Sequence, residues 1–393
     1  MAPLRPYALL LLAAAGCGPI LRDDFESEPV RNGWTVDPPR PPSPATAGWM
    51  EGDARSGTRA LVIEDGALRS PAFRVAPLDW LRVRFAACVP GPAFCALEFR
   101  DGDGVALETA YSGIDPAPAW TDQELFFRVR SDAERARLRF ETIDRQPLRI
   151  DDLLVETASP GEALAWADAL YAALPPLTAT PRPDRWARLP RTLGRLRNGE
   201  RLRIVMLGDS IVHDIANSPF DLLLERLYPG ARIEVVVRVA GGKGCWYFRT
   251  GNRVKDNVLR HRPDLLVIGG ISHRGDVEAV RDVVRKVRAG SDCEILVMSG
   301  AVGAASQGDP RRQPGWRPDP DPQGEAYRDR LMRMAEEEQI AFFDFEGMWG
   351  RYIQACGRPY DTFLRDPVHA NARGMQILAR ILAAFFAPPT APE

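Results

Sequence analysis

The chain carries no excess charge of either sign. Its 393 residues hold 51 lysines and arginines against 53 aspartates and glutamates, a formal net charge of −2. No global field therefore draws it to nucleic acid or to anionic lipid. Lysine is nearly missing, with Lys243, Lys255 and Lys286 the whole set, while proline reaches 35; both read as base-composition bias. Long apolar runs are absent too: beyond the N-terminus nothing approaches the roughly eighteen uninterrupted apolar residues of a membrane-spanning helix. Six cysteines in a chain this long exclude a small disulfide-stapled fold. What is present, 45% hydrophobic and 26% charged residues, is ordinary globular usage, and at about 100–200 residues per domain the length admits two cores.

The N-terminus reads as an export address. Arg5 precedes an apolar run over residues 8–15, which is too short for a mature spanning helix, and the run ends in Ala14-Ala15-Gly16-Cys17. This resembles a bacterial lipoprotein signal. The resemblance implies a signal peptide over residues 1–16, acylation of Cys17, and a body held at the bacterial cell envelope, at the outer membrane or cell surface, by lipid alone. Export permits disulfides. Cys88 and Cys95 flank Val89-Pro90-Gly91-Pro92 and are expected to close a short loop; of the remaining three, Cys245 is expected to pair with Cys356, leaving Cys293 buried.

Residues 17–158 alternate apolar with polar: Leu81, Val83 and Phe85; Leu97 and Phe99; Leu138 and Phe140; Leu148 and Ile150, then Leu153 and Val155. Period two marks half-buried strands, and with turn signals between them an antiparallel sandwich is expected. Asp24-Phe25-Glu26, Gly33-Trp34, the Ser56-Gly57 turn and Ile150-Asp151-Asp152-Leu153 resemble jelly-roll modules of the carbohydrate-binding type. Trp49, Trp80 and Trp120 are its candidate sugar-stacking rings.

A helix over residues 162–174 and a proline-rich stretch make residues 159–200 a linker. In residues 201–393 the grammar changes, with strands expected over 202–207, 233–239, 265–268, 295–298 and 340–343, and helices over 220–228, 277–288, 325–339 and 372–386. Strand alternating with helix predicts a parallel sheet covered on both faces, with ligands met at the strand carboxyl ends.

Gly208-Asp209-Ser210 stands at the first such end. A serine hydroxyl attacks only when a base takes its proton; histidine is the usual base, and a carboxylate beside it fixes its tautomer. The chain has four histidines, and one of them, His369, follows Asp366 by three residues. These blocks, with a glycine after the second strand, resemble the SGNH (GDSL) hydrolases. The resemblance implies an α/β flavodoxin-like three-layer domain behind the jelly-roll sandwich, Ser210 as nucleophile, His369 as base and Asp366 as its orienter. It also implies an oxyanion hole from the Ser210 N–H, Gly241 (Gly242 the alternative) and a side chain in a third block. Where the family carries asparagine, this chain has Gly269-Gly270-Ile271-Ser272-His273, so Ser272 is the expected third donor, with His273 as the alternative.

His213, Trp246 and His273 are further candidate pocket residues, Trp246-Tyr247-Phe248 being a sugar platform or a packed aromatic cluster. His261 reads as loop surface, and residues 308–324, with five prolines, read as a lid. No metal or other cofactor is expected. The reading is a lipid-anchored serine esterase acting on ester bonds, with O-acetyl groups of polysaccharide the favoured substrate. A glycan acetyltransferase using the same triad and an inactive glycan-binding lipoprotein are the alternatives. If Cys17 is the anchor, Cys17→Ser is expected to leave the membrane fraction or to stay unprocessed, read by fractionation and intact mass; an unchanged partition and mass would defeat the expectation.

Overall fold

A computed structural model describes residues 19–27, 32–37, 46–142, 146–178 and 182–389; Cys17 lies outside them. Two antiparallel sheets form the first half. One runs Ala117–Arg128, Trp80–Val89, Leu148–Ala158, Arg59–Asp65, Thr46–Glu51, with Leu21–Asp23 beside Leu148–Ala158; the other runs Thr35–Asp37, Ala67–Arg69, Arg135–Thr142, Ala93–Arg100, Ala110–Ile114, with Phe73–Arg74 beside Arg135–Thr142. Their shared core is the alternate set legible in the sequence, Leu81, Val83, Phe85, Leu97, Phe99, Leu138 and Phe140 among it. One phase slip is structural. Ile150 and Leu153 are three apart yet both enter the core, because the pairing register shifts between Asp151 and Leu154 and Asp152 takes a left-handed φ of 52°, a bulge that restores the inward phase. Asp151, fully buried, supports it by accepting the N–H groups of Arg55, Ser56 and Asp152.

One end of the first sheet's outer face is covered rather than wet. Trp80 and Phe126 pack with Ala163 and Leu222, against which Trp166 rests. Trp80, 2% exposed, is therefore interface and not a sugar-stacking ring. Trp120 is half-buried and donates to Asp53; the Trp49 side chain lies outside the described residues. Ala163 and Trp166 belong to the helix Pro160–Ala172, which starts at a reciprocal cap between Ser159 and Glu162, where each satisfies an N–H the first turn leaves open.

Residues 159–200 are no loose linker. Trp186 is buried between Phe385 and Phe386, and Leu189 and Leu196 join the same core. Two of the prolines that suggested a linker, Pro183 and Pro190, start the turn Pro183–Trp186 and the helix Pro190–Arg197, where a missing N–H leaves nothing unpaired.

The second half is a five-stranded parallel sheet ordered Arg232–Val239, Arg201–Gly208, Leu265–Ile268, Glu294–Met298, Ala341–Phe343. In chain order that is 2-1-3-4-5, with its switch point between the first and third strands. Helices Phe220–Leu227 and Ala372–Phe385 cover one face, and Val277–Gly290 and Tyr327–Glu337 the other. Two further helices, Ser210–Asn217 and Phe345–Ala355, escape sequence reading. The latter contains Gly347 and Gly350, poor helix formers; a Cβ at Gly350 would lie 2.3 Å from the Trp316 ring, so glycine is what lets the 308–324 segment lie down on this helix. That segment is fastened, not a free lid: Arg317 bonds Asp321 and Asp329, and Arg351 bonds Asp319. Among the described residues no helix is long and apolar enough to cross a membrane.

Neither expected disulfide forms; all five cysteines from Cys88 onward are free and buried. Cys245 packs on one face of the parallel sheet and Cys356 on the other, so the sheet separates them. Cys95 points into the sandwich core while Cys88, between the inward Ala87 and Val89, points out of it and donates its thiol to the Pro118 carbonyl. Unfolded without reductant, the protein is therefore expected to react with a thiol reagent at all five of these positions, and folded at almost none; a disulfide-linked peptide in a non-reduced digest would contradict this.

Candidate active site

The strand Arg201–Gly208 ends against the third strand so closely that a Cβ on Gly208 would sit 2.3 Å from the Gly269 carbonyl oxygen. Asp209, 1% exposed, then caps the helix Ser210–Asn217. One carboxylate oxygen accepts the Ile211 N–H at 3.0 Å, and the other accepts Ile271 at 2.7 Å and Ser272 at 2.6 Å. Gly270 admits this grip: its φ is 108°, and a Cβ there would fall 2.4 Å from Asp209 Oδ1. Ser210 is thus the first residue of a helix. Its N–H, like any in a first turn, has no carbonyl to meet within that helix, and it meets no other group among the described residues.

The second half of the site comes from residues 365–371. His369 Nδ1–H donates to Asp366 Oδ2 at 2.8 Å, which leaves Nε2 as acceptor for the Ser210 hydroxyl, also at 2.8 Å. Asp366 further accepts the N–H groups of Val368 and His369. Burial pushes its carboxyl up, yet the histidine and these N–H groups outweigh it and hold it at about 2. Asn371 closes the loop, capping the last helix through Gly374 N–H while its amide donates to Thr362 and Leu364.

Two residues that sequence reasoning passed over hold the halves together. Asp214, one turn beyond Ser210, bonds Arg365 at 2.8 Å and the Ala370 N–H at 2.9 Å, and both side chains are almost fully buried. Burial pushes the Asp214 carboxyl up, and the Arg365 guanidinium pulls the other way. Loss of either partner would strand a buried charge, at about 3–5 kcal/mol. The sandwich presses on the same loop: Tyr111 lies 5.8 Å from the Arg365 guanidinium, and a Cβ on Gly113 would come within 2.9 Å of Arg365. The i, i+4 spacing of Ser210 and Asp214 was the one available signal, and nothing in sequence marked Arg365 as its partner.

Gly241 and Gly242 follow the second strand, exposed, with Gly242 at a φ of 66°; the Gly241 N–H has no partner among the described residues. In the third block the Ser272 N–H is taken by Asp209 and its carbonyl by Trp246 Nε1 at 2.9 Å. Its hydroxyl bonds no described residue and is the one side-chain donor of residues 269–273 left free among the described residues. His273 is not available as an alternative donor. It is buried, with Nε2 donating to the Gly269 carbonyl at 2.9 Å and Nδ1 accepting the Cys245 N–H at 3.2 Å, so both ring nitrogens are spent on the scaffold. Trp246 is half-buried, with the Arg274 guanidinium 4.0 Å from its centroid, and is not a bare sugar platform. Such an arrangement, a hydroxyl on a neutral imidazole nitrogen with free N–H groups at the same strand ends, can form and break an acyl bond.

No protein-family model matches the chain, and no curated protein does. Among solved structures it is similar to a two-domain esterase active on acetylated mannans, at 18% identity over 51% of this chain and 52% of that one, TM-score 0.40. It is also similar to a CBM22 xylan-binding domain from Paenibacillus barcinonensis, at 14% identity over 37% of this chain and 100% of that one, TM-score 0.29. The chain thus spans about half the length of that esterase. At TM-scores below 0.5 neither likeness bears on what the site does.

His213 lies on the helix of Ser210 but faces the sandwich. It is buried, its Nε2 2.6 Å from Arg130, which also bonds Asn217, so it is domain interface and not pocket. Burial, and then the charges of Arg130, Arg365 and His369, hold its pKa well below the usual value. His261 is not loop surface either: its Nε2 accepts from Arg238, itself paired with Asp132, and burial and Arg238 bring it down to about 4. A histidine depressed in the folded state stays neutral while its unfolded counterpart takes a proton. Stability is therefore complete above the unfolded value near 6.5 and falls as pH drops below it, by up to about 1.4 kcal/mol per unit and histidine. Melting temperature is expected to decline from pH 7 to pH 5, and His213→Gln, which keeps an acceptor without a titrating ring, is expected to shrink that decline; an equal decline in both proteins would remove His213 from the account.

Proposed function

We propose that the protein is an ester hydrolase working through an acyl-enzyme, its substrate an O-acylated, most simply O-acetylated, carbohydrate. The observation that carries this is the Ser210–His369–Asp366 chain of hydrogen bonds, 2.8 Å at each step, at the switch point of a parallel sheet. His369 Nε2 takes the Ser210 proton as Oγ attacks the ester carbon. The oxyanion that forms is met by the N–H groups of Ser210 and Gly241, with the Ser272 hydroxyl as third donor, each aimed at charge that develops only in the transition state. The C–O bond to the sugar then breaks, and the departing oxygen takes the proton from His369. Water, deprotonated by the same nitrogen, releases the acid and restores Ser210. Asp366, ionised at any working pH, holds the Nδ1–H tautomer and stabilises the imidazolium.

A polyhydroxylated substrate suits the sandwich, which carries an open cleft of about 630 Å³ where Arg69, Glu98, Arg100 and Asp101 stand beside Phe99 and Leu107, a mix of hydrogen-bonding and apolar surface. In this reading residues 17–158 present the polymer, residues 201–393 remove its acyl groups, and Cys17 anchors both at the cell envelope. Transfer of the acyl group to a second sugar shares the first half-reaction; an oligosaccharide acceptor that gains the acyl group would mark it.

On an aryl acetate, Ser210→Ala and His369→Ala are each expected to lower kcat by about 10⁴-fold or more, with the double variant no worse than either, since the members act as one unit. Asp366→Asn should follow through the wrong tautomer. Ser272→Ala is expected to lower kcat by about 10- to 1,000-fold with KM little moved. Undiminished turnover by Ser210→Ala would end the assignment.

A further inference from the structure

Two arginines near the site are ion-paired, Arg365 with Asp214, and Arg249 with Asp276 and Asp282. Lys243 and Arg274 have no carboxylate partner among the described residues, and both are held on one ring. The Lys243 ammonium lies 5.2 Å, and the Arg274 guanidinium 4.0 Å, from the centroid of Trp246. An indole face holds a cation without cancelling its charge. The ring is itself fixed by the hydrogen bond from Nε1 to the Ser272 carbonyl, and that segment is fixed in turn by Asp209.

Position gives these charges meaning. Lys243 directly follows Gly241-Gly242, and Arg274 stands two residues beyond Ser272, so each extends from a loop that supplies a proposed oxyanion donor. Arg274 is exposed and adopts a φ of 56°, followed by Gly275 at 69°. A left-handed arginine is unfavourable unless its surroundings insist on it, and such outliers gather at ligand sites. Arg274 lies over one face of the indole, so on that side a ligand meets a cation before it meets the ring. A planar guanidinium fork matches a carboxylate in two parallel bonds, whereas a neutral sugar would leave both charges unanswered.

We propose that Lys243 and Arg274, presented by Trp246, form a subsite for the carboxylate of an acidic sugar, so that the substrate is an O-acylated uronate polymer and not a neutral glycan. This rests on the esterase reading and adds the charge class of its substrate.

Acetylated polygalacturonate and acetylated glucomannan, assayed with the whole protein, are the test. Wild type is expected to prefer the uronate polymer, with a kcat/KM that falls as salt rises from about 0.05 M to about 0.3 M. Lys243→Gln with Arg274→Gln should cut the uronate-to-mannan ratio about tenfold and flatten the salt response, while Lys243→Arg with Arg274→Lys should keep the salt response. An unchanged ratio, or equal loss on both glycans, overturns the subsite. Retention in affinity gels containing unacetylated polygalacturonate reads the subsite without turnover. Retention lost in the glutamine variant while wild type cleaves no ester would discard the esterase and keep the subsite; cleavage with no charge dependence would do the reverse. Equal retention by dextran sulfate would overturn the carboxylate preference.

Discussion

Everything at the candidate site hangs on the carboxylate of Asp209. Buried in this way it would be costly unless its oxygens were hydrogen-bonded, and its partners come from two loops at once: Ile211 in its own helix, Ile271 and Ser272 in the loop after the third strand. That single side chain starts the helix of Ser210 and fixes the segment whose carbonyl holds Trp246. The empty spaces at Gly208 and Gly270 are part of the same constraint, since a side chain at either would collide with the opposing loop. Asp214 repeats the device one turn later, gripping Arg365 and Ala370, so that one short helix clamps both the third-block loop and the loop of His369.

The sandwich is a structural wall of this site as well as a neighbour to it. Trp80 and Phe126 put aromatic area on the outer face of a sheet, where water would otherwise be, and a helix with its own reciprocal cap fills the seam. Across that seam Arg130 reaches His213, and Tyr111 and Gly113 lie against Arg365. Displacement of the sandwich would loosen the loop that carries His369, since Tyr111 and Gly113 bear on it through Arg365.

Charge is the scaffold's usual adhesive. The 308–324 segment shows it, strapped by Arg317, Asp321, Asp329, Asp319 and Arg351, whereas Lys243 and Arg274 share the ring of Trp246 instead.

Local pattern was enough for the five strands of the parallel sheet and for the inner strands of the sandwich, while Ala110–Ile114 and Ala117–Arg128 went unread. Alternation placed the sandwich core, the three-residue step from Ile150 to Leu153 held the bulge, and strand–helix alternation placed the parallel sheet, because a side chain's side of a strand follows from its parity alone. The Asp366–His369 spacing was legible for a similar reason: both residues sit on one short loop. Partnerships across the fold were not. Cys245 and Cys356 fall on opposite faces of a sheet, His213 turns to the sandwich and not to the pocket, His273 spends both nitrogens on backbone, and Asp214 finds Arg365 some 151 positions away. The sequence by itself determined which faces must be buried and which residue types could do the chemistry; only the tertiary structure decided which polar groups answer one another, since a buried charge is stable only where a distant partner happens to arrive.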